Sequence, residues 1–169
     1  QKNNIKKFIH ASSIYANTEE GSFYASSKKA AEDYIERYCR NNKINFSILR
    51  YGSLYGPRAP INNGINMIIN KAIKNNSIEY IGNKLAERKY IHVKDAAKIC
   101  IKIAKSNKKL HFVNVTGKKN IKIYKFLKRL ADILKMSKNI KFKNKNITGH
   151  YIKKPNEYKI RKAKNFILK

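Results

Sequence analysis

The chain has 169 residues and an apolar fraction of 42%, which suit a folded domain with a buried core. Its net charge is +29, from 39 basic and 10 acidic residues. No stretch approaches the roughly 18 uninterrupted apolar residues of a membrane span, and no zinc-finger, helix-turn-helix or RNA-binding aromatic motif is visible, so the composition argues against a membrane-spanning protein and against a specific nucleic-acid reader.

The basic charge has two interpretations. A polyanionic partner such as nucleic acid is one of them. The other is coding bias, because 32 Lys, 21 Asn and 25 Ile make up nearly half of the chain and all three have AT-rich codons. Only 7 of the basic residues are Arg, the residue that bidentate phosphate and base recognition favours. The two cysteines, Cys39 and Cys100, have no metal-ligand spacing, and we expect reduced thiols in a cytoplasmic protein and no metal site.

Short β-branched apolar runs alternate along the chain with segments of helical periodicity. In chain order the pattern predicts a strand at 5–13, a helix at 24–41, a strand at 45–52, turns at 54–64, a helix at 65–76, a strand at 78–82, an extended segment at 88–93, a helix at 94–106, a strand at 110–117 and a helix at 121–135. The first helix is expected to bury an apolar stripe formed by Ala30, Ala31, Tyr34, Ile35 and Tyr38. Strands that alternate with helices favour an α/β fold with largely parallel pairing.

Two chemistry-bearing side chains share one face of the first predicted helix. Tyr24 and Lys28 are four residues apart, so they project together. A lysine ammonium one turn away favours the phenolate form of a tyrosine, which makes the tyrosine a better base. A tyrosine that merely packs on a lysine stem has the same spacing, so the pair by itself does not decide between the two.

Polar residues follow the neighbouring strands. "FIHASSIYA" (8–16) places Ser12 and Ser13 at a strand end, and "ILRYGSLYGPR" (48–58) and "RKYIHVKDAA" (88–97) follow later. In parallel sheets ligands bind at the carboxyl ends of strands. With the Tyr-x-x-x-Lys helix, these segments in this order resemble the NAD-dependent epimerase/dehydratase family of the extended short-chain dehydrogenase/reductase superfamily.

The resemblance implies a fold and a division of the chain. The fold would be α/β: the C-terminal part of a doubly wound, parallel-sheet dinucleotide-binding domain, plus a smaller mixed α/β substrate-binding region. Residues 1–53 and 88–117 would belong to the dinucleotide-binding domain, 54–87 to a substrate-binding insertion, and 118–169 to a C-terminal substrate-binding region. No two of the seven glycines have the spacing of a dinucleotide fingerprint, so the glycine-rich half would be missing. We expect 169 residues cut in this way to fold poorly or self-associate.

The resemblance also implies roles for residues near the cofactor. Tyr24 would exchange a proton with a sugar hydroxyl, and Lys28 would support Tyr24 and bind the nicotinamide ribose. Ala11 would lie on the strand beside the cofactor, and Tyr51 would begin the turn that approaches the nicotinamide. NAD is the expected cofactor, with NADP left open because the residue that would discriminate them lies in the missing half.

Further roles concern the expected substrate, a nucleotide-diphosphate sugar. Ser13 would hydrogen-bond the reacting oxygen, with Ser12 as the alternative because the loop before Tyr24 is shorter than is usual in the family. Ser53 and Arg88 would contact the substrate diphosphate. Ile14 and Tyr15 follow Ser13 where dehydratases usually carry an Asp-Glu pair, which favours epimerisation or reduction over dehydration.

Several alternatives stay open from the sequence. The leading interpretation is an epimerase like UDP-glucose 4-epimerase, and the others in the family are a nucleotide-sugar reductase or dehydratase. A basic nucleic-acid-binding protein and a non-catalytic interaction module are the alternatives outside it. The oligomeric state stays open; the resemblance offers a homodimer of the parent protein, because relatives often pair through helices such as the one at 24–41. His150 and Tyr151 are weaker candidates for substrate contact.

Overall fold

The computed structural model describes residues 3–18, 21–136, 140–143 and the backbone of 164–165. Its helices are α1 (Ser22–Asn41), α2 (Gly64–Asn75), α3 (Val93–Lys105) and α4 (Ile123–Ile133). Its strands are β1 (Lys7–Ser13), β2 (Asn45–Tyr51), β3 (Ser53–Tyr55), β4 (Glu79–Ile81), β5 (Glu87–Arg88), β6 (Tyr90–His92), β7 (Phe112–Val115), β8 (Ile121–Lys122), β9 (Lys141–Lys143) and β10 (Lys164–Asn165). A 3-10 turn spans Ile14–Asn17. None of the described helices is long and apolar enough to cross a membrane.

A parallel four-stranded sheet in the order β1-β2-β7-β10 forms the centre of the fold. β1 and β2 pair along their whole length, from Lys7 opposite Asn45 to Ser13 opposite Tyr51. Because the strands are parallel, their carboxyl ends lie at one edge of the sheet. Ser13 and Tyr51 therefore come together across two neighbouring strand ends.

Helices cover both faces of this sheet, as parallel sheets require. On one face α1 contributes Cys39 to a buried cluster with Phe46 and Ile48 of β2. On the other face Ile99 and Ile103 of α3 pack on residues of β2 and β7. Alternate side chains of β2 thus pack into the cores on opposite faces of the sheet, and the fully buried Leu49 packs on the α3 side.

A third apolar cluster lies apart from the two sheet cores. It joins Ala72 of α2, Ile78 before β4, and Leu127 and Ala131 of α4. β4 pairs with β9 in parallel, and β5 pairs with β8 in antiparallel fashion, so this smaller region is mixed α/β. Its assignment to substrate binding stays a prediction.

The buried face of α1 differs from the predicted stripe. Ala30, Tyr34 and Tyr38 are exposed, and the residues that the helix buries fully are Ala25, Glu32 and Cys39. The helix also begins at Ser22 rather than residue 24, after Gly21 in a left-handed conformation (φ 95°). A side chain at that position would be strained and would approach the Tyr15 ring, so the turn requires glycine.

Other strand and helix boundaries differ from the predicted ones because distant segments pair with each other. The predicted turn region 54–64 begins inside β3, which pairs with β6. The predicted extended segment 88–93 divides into β5 and β6, and Val93 already starts α3. β8 occupies the first two residues of the predicted helix 121–135. The tail candidates His150 and Tyr151 lie outside the described residues.

Candidate active site

A cavity of about 470 Å³ opens at the carboxyl ends of β1 and β2. Four of the residues predicted from the sequence line it: Ser13, Tyr51, Ser53 and Arg88. They come from four different strands, β1, β2, β3 and β5, so the fold brings together residues that are up to 75 positions apart in the sequence. The cavity lies where ligands bind in parallel α/β sheets.

The two neighbouring serines point to different sides of β1. Ser13 is buried, lines the cavity, and accepts a hydrogen bond from the Tyr15 backbone N–H at 3.3 Å. Ser12 instead donates to the Glu32 carboxylate on α1. Successive strand residues face opposite sides of a sheet, which explains the difference. The geometry favours Ser13 over Ser12 as the hydroxyl that meets a ligand in the cavity.

Tyr24 and Lys28 lie together at the start of α1, and the lining of the cavity includes neither of them, nor Ala11. The Lys28 Nζ donates to the Ala11 carbonyl oxygen at 3.2 Å and lies 5.9 Å from the centre of the Tyr24 ring. Tyr24 is 53% exposed. Its ring meets the Tyr15 ring edge to face, with 6.4 Å between centroids, and Tyr15 lines the cavity. Tyr15 therefore links the Tyr24 and Lys28 pair to the cavity wall.

Tyr51 has a different chemical character from Tyr24. Burial, together with the neighbouring Cys100 thiol, raises the pKa of Tyr51 to about 12. Its phenol is hydrogen-bonded to the Cys100 thiol, stays protonated at neutral pH and is a poor base. This leaves the solvent-accessible Tyr24 as the better acid/base candidate of the two.

Charged groups from the smaller region complete the cavity. Arg88 donates from Nη1 to the Glu87 carbonyl oxygen at 2.9 Å, and Lys71 of α2 also lines the cavity. Glu79 lies on the same wall and is paired with Lys143 at 3.0 Å. That hydrogen bond, with the positive charge of Lys143, lowers the pKa of Glu79.

Sequence reasoning missed several of the lining residues, including Tyr15, Asn63, Lys71 and Glu79. Lys71 and Glu79 occupy ordinary surface-like positions of a helix and a short strand, and nothing in their local pattern distinguishes them. Tyr15 follows Ser13 by two residues, and its place in the 3-10 turn directly after the strand end was the available signal. Among the described residues, no group of three or more His, Cys, Asp or Glu side chains could hold a metal ion.

Comparisons with known proteins give the site a context. Residues 1–116 match the model of the NAD dependent epimerase/dehydratase family. A Methanocaldococcus jannaschii protein, whose name assigns it provisionally as a UDP-glucose 4-epimerase, is 34% identical over 116 residues, which are 66% of this chain and 36% of that protein.

Two solved structures are similar over most of the chain. One is UDP-N-acetylglucosamine 4-epimerase from Methanobrevibacter ruminantium M1 with UDP-N-acetylmuramic acid, at 26% identity and a TM-score of 0.78, covering 90% of this chain and 54% of that one. The other is UDP-glucuronic acid 4-epimerase from Bacillus cereus with UDP-glucuronic acid and NAD, at 22% identity and a TM-score of 0.78, covering 88% and 51%. The chain therefore spans about half the length of these solved proteins.

Proposed function

We propose, since the chain belongs to the NAD-dependent epimerase/dehydratase family, that it carries the proton-transfer and substrate-binding part of a nucleotide-sugar 4-epimerase. The observation that carries the proposal is the placement of Tyr24 and Lys28 at the strand ends, next to the cavity that Ser13 lines. The relatives named as 4-epimerases support this reaction.

In the proposed mechanism Tyr24 accepts the proton of the sugar 4-hydroxyl and returns it when the hydroxyl forms again on the other face. Lys28 stabilises the negative phenol oxygen because its ammonium lies one helical turn away. Ser13 donates a hydrogen bond to the reacting oxygen. Tyr15 packs against Tyr24 and limits the positions that its ring can take.

The residues present fit the nicotinamide end of NAD. The Lys28 ammonium, held at the Ala11 carbonyl, would bind ribose hydroxyls, and Tyr51 lies at the adjoining strand end on the cavity wall. Bound there, NAD would supply a reversible hydride acceptor for the sugar carbon. The sequence holds no glycine-rich phosphate loop for the pyrophosphate, so that contact must come from elsewhere. NADP stays an alternative to NAD.

The substrate in this proposal is a nucleotide-diphosphate sugar. Arg88 and Lys71 place two cationic side chains on the cavity wall, which suits the negative charge of a diphosphate. Ser53 lies near the same wall and would add a hydroxyl donor. The sugar would then extend toward Ser13 at the end of β1.

The decisive experiment measures turnover. We expect the chain alone to show no epimerase activity, and a chimera that joins a family member's glycine-rich N-terminal half ahead of it to interconvert UDP-glucose and UDP-galactose with NAD. In the chimera Tyr24→Phe should lower kcat by about 10²- to 10⁴-fold, the usual size of general acid–base catalysis. Tyr124→Phe, which removes a hydroxyl from α4, is the control.

The outcomes separate the candidates. Normal turnover in Tyr24→Phe would rule out its acid/base role. Product analysis by NMR distinguishes an epimer from the deoxy-keto sugar of a dehydratase, a class that also occurs among the similar folds. A steep fall of RNA or DNA affinity with salt, without turnover, would favour the nucleic-acid alternative.

We further propose a homodimer through the outer face of α1 and a cytoplasmic location. Phe23 is 89% exposed and Tyr34 is 72% exposed, and the Tyr34 and Tyr38 rings stack at 6.4 Å. Exposed aromatic side chains in one helix are typical of an association surface. Light scattering should show a dimer that Tyr34→Glu converts to a monomer.

The proposed cytoplasmic location is supported by the cysteines, because both have free thiols, as is usual in the reducing cytoplasm.

A further inference from the structure

Three polar side chains are buried between α1 and the first two strands. Glu32 of α1 is 3% exposed, Arg50 of β2 is 4% exposed, and Ser12 of β1 is 5% exposed. Charged residues are almost never buried unless they are paired. We call these three residues the Glu32 cluster.

The carboxylate of Glu32 is the centre of this cluster. Arg50 donates to it from Nε, at 3.0 Å to Oε1 and 3.1 Å to Oε2, and from Nη2, at 2.6 Å to Oε2. Ser12 donates its hydroxyl to Oε1. The guanidinium of Arg50 also lies 4.8 Å from the centre of the Phe112 ring on β7. Glu32 thereby contacts side chains of β1 and β2 directly and is linked to β7 through Arg50.

The cluster lies one residue before the cavity on each strand. Ser12 and Arg50 are partners in the β1–β2 register, and the next pair, Ser13 and Tyr51, lines the cavity. On the helix, Glu32 follows Lys28 by four residues and Tyr24 by eight, so all three share one helix face. The cluster therefore lies on the helix face that carries Tyr24 and Lys28, and Lys28 contacts β1 at Ala11.

The position of α1 on the sheet must be defined to within one residue, because even a small slip turns its side chains to a different direction. A slip of one residue rotates a helix face by about 100° and moves it about 1.5 Å along the axis. Apolar packing under α1 tolerates small slips, whereas a carboxylate with several directed hydrogen bonds does not. A buried ion pair is also weak evidence for stability, since well-packed apolar side chains often replace one without loss. What the pair adds over apolar contacts is a defined position.

We propose that Glu32, through Arg50 and Ser12, is a positioning residue that holds Lys28 at the Ala11 carbonyl and Tyr24 beside the cavity. This inference rests on the proposed function for its catalytic meaning. Its structural content, the placement of Lys28, is measurable without any activity.

The test compares the accessibility of two adjacent lysines. Lys28 is tied to Ala11, while Lys29 is exposed on the same helix and serves as the internal reference. The full chain and the chimera are treated briefly with an amine-acylating reagent, and the Lys28 to Lys29 labelling ratio is read by mass spectrometry. The variants are Glu32→Gln and the double variant Glu32→Leu with Arg50→Met, which removes both buried charges and keeps similar volume.

The matched control is Glu36→Gln. Glu36 pairs with Arg40 at 2.7 Å on the same helix, one turn further on, but on its solvent side. We expect the labelling ratio to rise at least about fivefold in the Glu32 variants, through local opening of the helix start, and to stay unchanged in Glu36→Gln. If Glu32→Gln fails to fold, the double variant alone carries the test, and its circular dichroism confirms that it is folded.

A folded double variant with the wild-type labelling ratio would overturn the inference. In an active chimera the same variant should lower kcat by at least about tenfold with little change in KM, because the groups that act in the transition state are displaced. If labelling changes but every chimera is inactive, the proposed function fails and the positioning role stands. If the chimera is active and labelling does not change, the positioning role fails alone.

Discussion

Lys7 allows a quantitative test of how the sheet is joined to α3. Its Nζ donates to the Ile103 carbonyl oxygen at 2.6 Å and to the Ser106 carbonyl oxygen at 2.9 Å. These carbonyls belong to the last turn of α3 and its C-cap, where carbonyls lack the regular helical partner; the Ile103 carbonyl oxygen also accepts the Ser106 backbone N–H, so Lys7 is its second donor. A cation there also complements the negative end of the helix dipole.

The expected decrease in the free energy of unfolding of Lys7→Met follows from these two hydrogen bonds. A hydrogen bond to a charged group contributes about 1.5–3 kcal/mol, but the site is only half-buried and water can replace part of it, so we expect about 2 kcal/mol in total. For a chain of this size each 1 kcal/mol lowers Tm by about 2–4 °C, so Tm should fall by roughly 4–8 °C. Methionine keeps the apolar stem, so the change isolates the ammonium.

Urea unfolding followed by circular dichroism measures this difference. Lys6→Met is the matched control, because Lys6 is the exposed neighbour and loses the same charge. The gap between the two variants should persist at 0.5 M NaCl, since partly buried contacts are screened less than surface charges. Equal unfolding midpoints for Lys7→Met and Lys6→Met would refute the assignment of a helix-end cap to Lys7.

Two other predictions concern backbone contact and pH. Gly117→Ala should destabilise the fold by at least about 1–3 kcal/mol in urea titrations, because the added Cβ would lie 2.0 Å from the Tyr90 carbonyl oxygen; Gly64→Ala, with nothing within 4 Å, should be neutral or slightly stabilising. Burial, then a nearby lysine ammonium, lowers the pKa of His10, against a smaller opposing effect of a carboxylate. The unfolded chain then binds the proton more readily than the folded chain, so the free energy of unfolding should fall between pH 7.5 and pH 5.5. The fall should be smaller in His10→Gln. If the free energy of unfolding changes equally with pH in the wild type and in His10→Gln, His10 is not the cause of the pH dependence.

The sequence allowed most of the central sheet to be predicted, because its strands and helices follow local periodicity. The face of α1 could not be predicted in the same way. Apolar spacing pointed to Tyr34 and Tyr38, whereas the structure buries Glu32. Glu32 is buried because Arg50, 18 residues further along the chain, neutralises it, and a single helix pattern contains no trace of that partner.

The candidate site also contains both residues with a local sequence signal and residues that only tertiary packing brings there. Ser13, Tyr51, Ser53 and Arg88 follow strand ends or motif segments, and the structure places all four on the cavity. Lys71 reaches the cavity only because α2 packs with the smaller region, a tertiary arrangement without a local signal. Strand β3 could not be predicted from the sequence for a similar reason, because it forms by pairing with the distant β6.

The β1–α1–β2 unit also bears on the order of folding. It is one continuous segment, its two strands pair along seven residues each, and all members of the Glu32 cluster lie within it. β7 joins the sheet only after the chain has passed through α2, β4, β5, β6 and α3. Because short loops close at a lower entropic cost than long ones, we expect this unit to form first as the chain leaves the ribosome and to serve as the template on which β7 docks.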